Sequence, residues 1–179
     1  MRIKSQFFSE MRILGVDPGF QFVGYGCIKI QGKKIAPIVH GTLKVKLQSE
    51  DLAEDRLFRI YEGLSQIILE TKPHVMVVEK VFFAKNVLSA LKLGQARGVV
   101  MLTGRIHQLG IFEYSATEVK QAIVGYGRAD KHQVAKMIEV LLGKQKFQTL
   151  DASDSLALAI CHAHLSENMK NNLQFHKVR

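Results

Sequence analysis

The sequence predicts one α/β domain on a mixed five-stranded sheet, three antiparallel strands followed by two parallel ones, with helices on both faces. Three observations carry this. Strand-like runs joined by short links come first in the chain. Helical periodicity then alternates with short, continuously apolar segments, the pattern of crossover connections. Finally, 179 residues, 47% of them hydrophobic and 23% charged, can bury a layered core without disulfide staples.

The elements follow in order. Ile13 to Val16 is an apolar run stopped by Asp17-Pro18-Gly19, a strand ending in a turn. Val23 to Ile30 alternates loosely and runs into Gln31-Gly32-Lys33-Lys34, a hairpin turn; Ile38 to Leu47 is the third strand. Asp51 and Glu54 have capping-box spacing. Leu57, Ile60, Tyr61, Leu64, Ile67 and Ile68 then recur at helical spacing until Pro73. Val75-Met76-Val77-Val78 reads as a parallel strand buried on both faces. A long helix spans about Asn86 to Gln108, and Ile111 to Tyr114 is a short strand. Val134, Met137, Ile138 and Leu141 mark a helix closed by Gly143. The last helix runs from Asp151 to His164, with Ala152, Leu156, Ala159, Ile160 and Ala163 facing inward. The expected order is β-β-β-α-β-α-β-α-α. Residues 1–10 read as an N-terminal extension, 11–166 as the domain, and 167–179 as a polar tail.

Charge gives the first functional clue. Twenty-five Lys and Arg against sixteen Asp and Glu leave a net charge of +9, which favours a polyanionic partner such as nucleic acid. No apolar run reaches the ~20 residues of a membrane span, and Met1 to Glu10 has no apolar core of signal-peptide length. Cys27 and Cys161 lack C-x-x-C spacing, and a reducing cytoplasm is the simplest reading.

Four acids fall in unusual places. Asp17 and Glu79 end strands, and Asp151 and Asp154 stand three apart at the start of the last helix, on one face. Taken singly, each has a plainer reading: a turn residue, a charge at a strand end, an N-cap, a helix-dipole partner. Taken together, they suggest an all-oxygen site for a hard cation, Mg²⁺ or Mn²⁺. Two such ions serve phosphodiester hydrolysis by activating water and relieving charge, while surrounding Lys and Arg hold the polyanion.

Ile13-Leu14-Gly15-Val16-Asp17-Pro18-Gly19 with Gly24-Tyr25-Gly26 resembles the opening of the RuvC family, the bacterial crossover junction endodeoxyribonucleases. Glu79-Lys80-Val81-Phe82-Phe83-Ala84-Lys85-Asn86 and Ser89-Ala90-Leu91-Lys92-Leu93-Gly94-Gln95-Ala96-Arg97-Gly98 resemble its next blocks. Val119-Lys120-Gln121 with Val124-Gly125, and Asp151-Ala152-Ser153-Asp154-Ser155-Leu156-Ala157-Leu158-Ala159, complete the set in order. The resemblance spans roughly Met11 to His164. It implies an RNase H-like fold, a homodimer and Mg²⁺-dependent nicking of four-way (Holliday) junctions in recombination and repair. Two symmetric cuts would leave 5′-phosphate and 3′-hydroxyl ends.

By the same resemblance Asp17, Glu79, Asp151 and Asp154 are the catalytic acids. They would hold two Mg²⁺ per site, with Asp17 bridging and Mn²⁺ able to substitute. Some relatives carry His at the position of Asp151. Phe82 matches the aromatic that the family sets against unstacked bases, whereas Phe83 reads as core. Lys85, Lys92, Arg97, Lys120 and Lys131 are candidate phosphate contacts, and Lys120 and Lys131 match family positions near the site. The RuvA–RuvB branch-migration complex is the implied protein partner. His162 and His164 read as packing or surface residues. Ala90, Gly94 and Gly98 make a smooth stripe that faces either the sheet or a second subunit. Two rival readings are a catalytically silent junction-binding module and a phosphotransferase of the actin/sugar-kinase type. The latter needs two such domains and an adenosine site, for which 179 residues leave no room.

Overall fold

The structure, a computed structural model, describes residues 10–19, 21–46, 52–80, 86–143 and 150–175; of 150, 151 and 167–175 it describes the backbone alone. The strands are β1 (Met11–Asp17), β2 (Phe22–Gln31), β3 (Lys34–Lys44), β4 (Val75–Glu79) and β5 (Gly110–Tyr114). The helices are α1 (Ala53–Thr71), α2 (Val87–Ile106), α3 (Ala116–Val124), α4 (Lys131–Leu142) and α5 (Leu150–Phe175). The sheet order is β3-β2-β1-β4-β5, with β1, β2 and β3 antiparallel and β4 and β5 parallel to β1 and to each other. The mixed sheet is the one the sequence predicts.

Three details differ. β3 begins at Lys34 and ends at Lys44, because the hairpin needs only Gly32-Lys33 for its turn, with Gly32 at φ 58°. Its register slips where Cys27 pairs with Val39 and Ile28 with Pro37, leaving Ile38 as the extra residue. Pro37 and that bulge sit on an edge strand, where a missing N–H costs no ladder bond. α1 starts one residue later than the expected box. Leu52 is its N-cap, and the Leu52 backbone N–H donates to Asp55 Oδ2 at 2.7 Å. Asp51 lies outside the described residues. The third difference is a whole helix. α3 was not expected, and the helical order after β5 is therefore α-α-α.

The sheet is covered on both faces. Leu14, Val16, Cys27, Met76 and Val78 pack under α1 and α2 with Ile60, Leu64, Ala96 and Val100. Ile13, Ile28 and Val77 pack under α5, α3 and α4 with Leu156, Ile160, Val119, Ile123, Val134 and Ile138. α5 is buried nearly all round from Ala152 to Ala163, since it lies between the sheet and α3–α4. Glu10 joins the fold as well: Arg12 Nε donates to Glu10 Oε1 at 2.6 Å, and Gln31 Nε2 to Glu10 Oε2 at 3.0 Å. α5 continues past residue 166 to Phe175. Among the described residues no helix is long and apolar enough to cross a membrane.

Candidate active site

Strand geometry brings two acids together. Val16 pairs with Val78 in the parallel ladder, so Asp17 and Glu79 leave adjacent strands side by side. Side chains alternate along a strand. Asp17 shares the face of Ile13 and Gly15, and Glu79 that of Val77, so both carboxyls are on the α5 side.

Two glycines then let α5 come close. Gly15 and Gly26 are partners across β1 and β2. A Cβ on Gly15 would collide with the Ser155 carbonyl, and one on Gly26 would lie 2.7 Å from Leu156 Cγ. The helix backbone therefore rests on bare sheet, and Asp154 reaches the strand ends. Asp17, Glu79 and Asp154 line one pocket of about 170 Å³, together with Lys120, Lys131, Ala116, Val119, Val134, Ala157 and Leu158.

The electrostatics match a crowded acid site. Glu79 is held above the usual carboxylate range, first by burial and then by the charge of Asp154; a hydrogen bond with Asp17 and the Lys131 charge pull the other way. A carboxyl–carboxyl hydrogen bond needs a proton between the two oxygens, the arrangement of like charges that cannot both ionise. Lys131 Nζ donates to Asp154 Oδ2 at 2.8 Å. Lys131 is the first residue of α4, held there by the box between Asp130 and Gln133: Gln133 N donates to Asp130 Oδ1 at 2.9 Å, and Asp130 N to Gln133 Oε1 at 3.0 Å.

A strut ties the acid-bearing elements together. Tyr114 is the ladder partner of Glu79, and its carbonyl accepts from Lys80 N at 2.8 Å. Its hydroxyl meets His162 Nδ1 of α5 at 2.8 Å, and the Phe112 ring packs against the same imidazole, tilted by 44° with centroids 4.3 Å apart. His164 Nδ1 lies 3.1 Å from the Ala122 carbonyl of α3. Both histidines are packing residues, as the sequence suggests.

The other expected contacts divide. Lys120 and Lys131 line the pocket. Arg97 is paired with Glu113 on β5 and, like exposed Lys92, does not line the pocket. Phe82, Phe83 and Lys85, and the side chain of Asp151, lie outside the described residues. Reading the sequence missed the apolar floor from α3 (Ala116, Val119), α4 (Val134) and α5 (Ala157, Leu158). The missing signal was Ser115-x-x-Glu118, a capping box: Glu118 N donates to Ser115 Oγ at 3.3 Å and Ser115 N to Glu118 Oε2 at 2.7 Å.

Comparison with known proteins decides the family. Residues 13–162 match the model of the crossover junction endodeoxyribonuclease RuvC family. The chain belongs to the RuvC family. The RuvC of Syntrophotalea carbinolica is 51% identical over 154 residues, covering 86% of this chain and 94% of that protein. The structure of Thermus thermophilus RuvC in complex with Holliday junction substrate is similar at TM-score 0.81 and 28% identity, covering 87% of this chain and 94% of that one. A yeast mitochondrial Holliday junction resolvase, Ydc2, shares the fold at TM-score 0.70 and 14% identity, covering 93% and 85%. Membership in the RuvC family makes the chain an endodeoxyribonuclease of the crossover-junction class, with the divalent-metal use that goes with it.

The residues present fit such a metal in kind. The donors around the pocket are carboxylates, the ligand set of hard cations, and burial with mutual repulsion leaves Glu79 short of positive charge. Among the described residues no three of His, Cys, Asp and Glu are drawn close enough to form a closed ligand cluster.

Proposed function

We propose that this chain resolves four-way DNA junctions by two symmetric nicks in strands of opposite arms, leaving 5′-phosphate and 3′-hydroxyl ends. The observation that supports this most is the convergence of Asp17, Glu79 and Asp154 with Lys120 and Lys131 in one pocket. Asp17, Glu79 and Asp154, with Asp151 from the first turn of α5, would hold Mg²⁺, two ions per site, with Mn²⁺ able to substitute. Divalent cations bound there supply charge relief on the phosphate and an activated water. The chain's own residues do the rest. Lys120 and Lys131 hold the strand by its phosphates. Lys131, paired with Asp154 in this structure, would leave that carboxylate free to hold a cation by turning to the DNA. The apolar floor keeps bulk water from the back of the site. Phe82, three residues after Glu79 in sequence, stacks on an unpaired base at the crossover. Lys85, Lys92 and Arg97 are secondary candidates for phosphate contact, and Arg97 would first have to leave Glu113.

The enzyme acts as a homodimer, one site per cut strand. α2 supports this. Leu91 and Leu102 are 62% and 58% exposed, and between them Gly94 and Gly98 open onto free space. These four share one helix face, so the small-residue stripe turns away from the sheet and suits the same helix of a second subunit. The chain works in the cytoplasm and receives junctions from the RuvA–RuvB complex.

The test is a nicking assay on a synthetic four-way junction with and without Mg²⁺, with linear duplex of the same sequence as control. Metal-dependent, paired nicks confined to the junction are expected. Equal cutting of linear duplex, or binding without any nick in Mg²⁺ or Mn²⁺, would overturn the proposal.

A further inference from the structure

The loop from Gly125 to Asp130, between α3 and α4, presents two side chains that the site as described does not use. Tyr126 is 46% exposed and Arg128 is also exposed. Among the described residues neither has a hydrogen-bond, ion-pair or ring partner. A free tyrosine and arginine on a mobile loop would mean little. This loop is pinned at every other residue. Gly125 caps α3 at φ 90°, its N–H donating to the Gln121 carbonyl at 3.0 Å. Gly127 lies so close to Thr117 that a Cβ there would stand 2.6 Å from Thr117 Cγ2. Ala129 is buried against the α5 side of the core. Asp130 is locked in its reciprocal box with Gln133. The backbone is thus set, and Tyr126 and Arg128 alternate outward from it.

The loop also leads directly into the pocket. Lys131, the next residue, lines it with the acids. Arg128 is three residues away and Tyr126 five, so their Cα atoms lie within about 11 and 18 Å of that of Lys131. Phosphates follow one another every ~3.4 Å along a strand axis. A strand whose scissile phosphate sits at the acids can therefore reach the loop within a few nucleotides.

Resting on the reading of the chain as a junction nuclease, we propose that Tyr126 and Arg128 form a second strand-binding site that takes a nucleotide flanking the cut. Arg128 takes its phosphate, and the face of Tyr126 takes its unstacked base. Such a base is available where the duplex stack is interrupted at a crossover. The pinned backbone means that little ordering entropy is lost when the strand docks.

The test uses the full chain and a four-way junction carrying 2-aminopurine at positions flanking the cut, in buffer without divalent metal. Tyr126→Ala should weaken junction binding about tenfold, the range expected for one lost base–aromatic stack. It should also relieve quenching of 2-aminopurine at one flanking position, with an unchanged melting temperature. Tyr126→Phe keeps the face and should bind within about twofold of wild type. Arg128→Gln should lower the slope of log affinity against log salt by about one. Wild-type affinity and quenching in Tyr126→Ala would overturn the site, as would a Tyr126→Phe defect equal to that of alanine. A wild-type chain that binds no junction at all would overturn the parent reading, and this one with it.

Discussion

Gly15 of β1 lies directly against the backbone carbonyl of Ser155 in α5, with no room for even one methyl group between them. This contact sets the height of α5 over the sheet, and so the distance from Asp154 to the carboxyls of Asp17 and Glu79. Gly15→Ala must push α5 away or bend β1. Overpacking of this kind costs ~1–3 kcal/mol. The expected result is a lower melting temperature with a larger proportional loss of nicking, because the displaced helix carries an acid of the site. A variant with wild-type stability and wild-type nicking would show that the close approach does not set the site.

Glu79 illustrates the cost of assembling acids. Burial and the Asp154 charge both oppose its ionised form. Glu79→Gln removes that opposition while keeping the shape. In metal-free buffer it should melt at or above the wild-type temperature, and in Mg²⁺ it should not nick. Thermal melts with and without Mg²⁺, beside the nicking assay, check both halves. A marked destabilisation in metal-free buffer would mean that the carboxylate is a structural anchor.

Burial pushes the His162 imidazole below its usual value. It is neutral in the folded chain, and the unfolded chain binds the extra proton first as pH falls. Its contribution is therefore complete above the unfolded value of ~6.5 and is lost as pH falls through the depressed folded one. Stability should decline as pH falls below the unfolded value, and His162→Gln should flatten that part of the curve. Equal slopes for the two chains would contradict this.

Leu91→Glu on α2 places a charge in the exposed apolar face. If that face joins two subunits, sedimentation should find the variant monomeric where the wild type is dimeric, with monomer stability unchanged within ~0.5 kcal/mol. A dimeric variant would move the interface elsewhere.

Much of this was legible in the sequence because its signals are local. Val75–Val78 reads as a buried strand from its continuous apolar run, whereas the face that Asp17 and Glu79 share became visible only with β1 and β4 paired in register. α3 escaped notice because nine residues with two buried positions, Val119 and Ile123, give only a single turn of periodicity to read. Its cap was the better signal. The pairing of Arg97 with Glu113 was invisible for another reason: a cation's partner sixteen residues on depends on how α2 lies against β5, which no local pattern states. Gly15 and Gly26 appeared in motifs, but the reason for them, a helix backbone seated on bare sheet, came only with α5 in place.

We propose that the carboxyls at the ends of β1 and β4 and the start of α5 cut junction DNA. Asp17→Asn tests it most directly, since the amide keeps the side chain's shape and removes one ligand charge from the centre of the site. Measured side by side on a four-way junction in Mg²⁺, the variant should bind as tightly as wild type, or slightly more tightly, and should nick at least ~10²-fold more slowly, on the scale of losing one strong electrostatic contribution to the transition state. Nicking at near the wild-type rate with binding intact would contradict the claim and place the chemistry elsewhere in the chain.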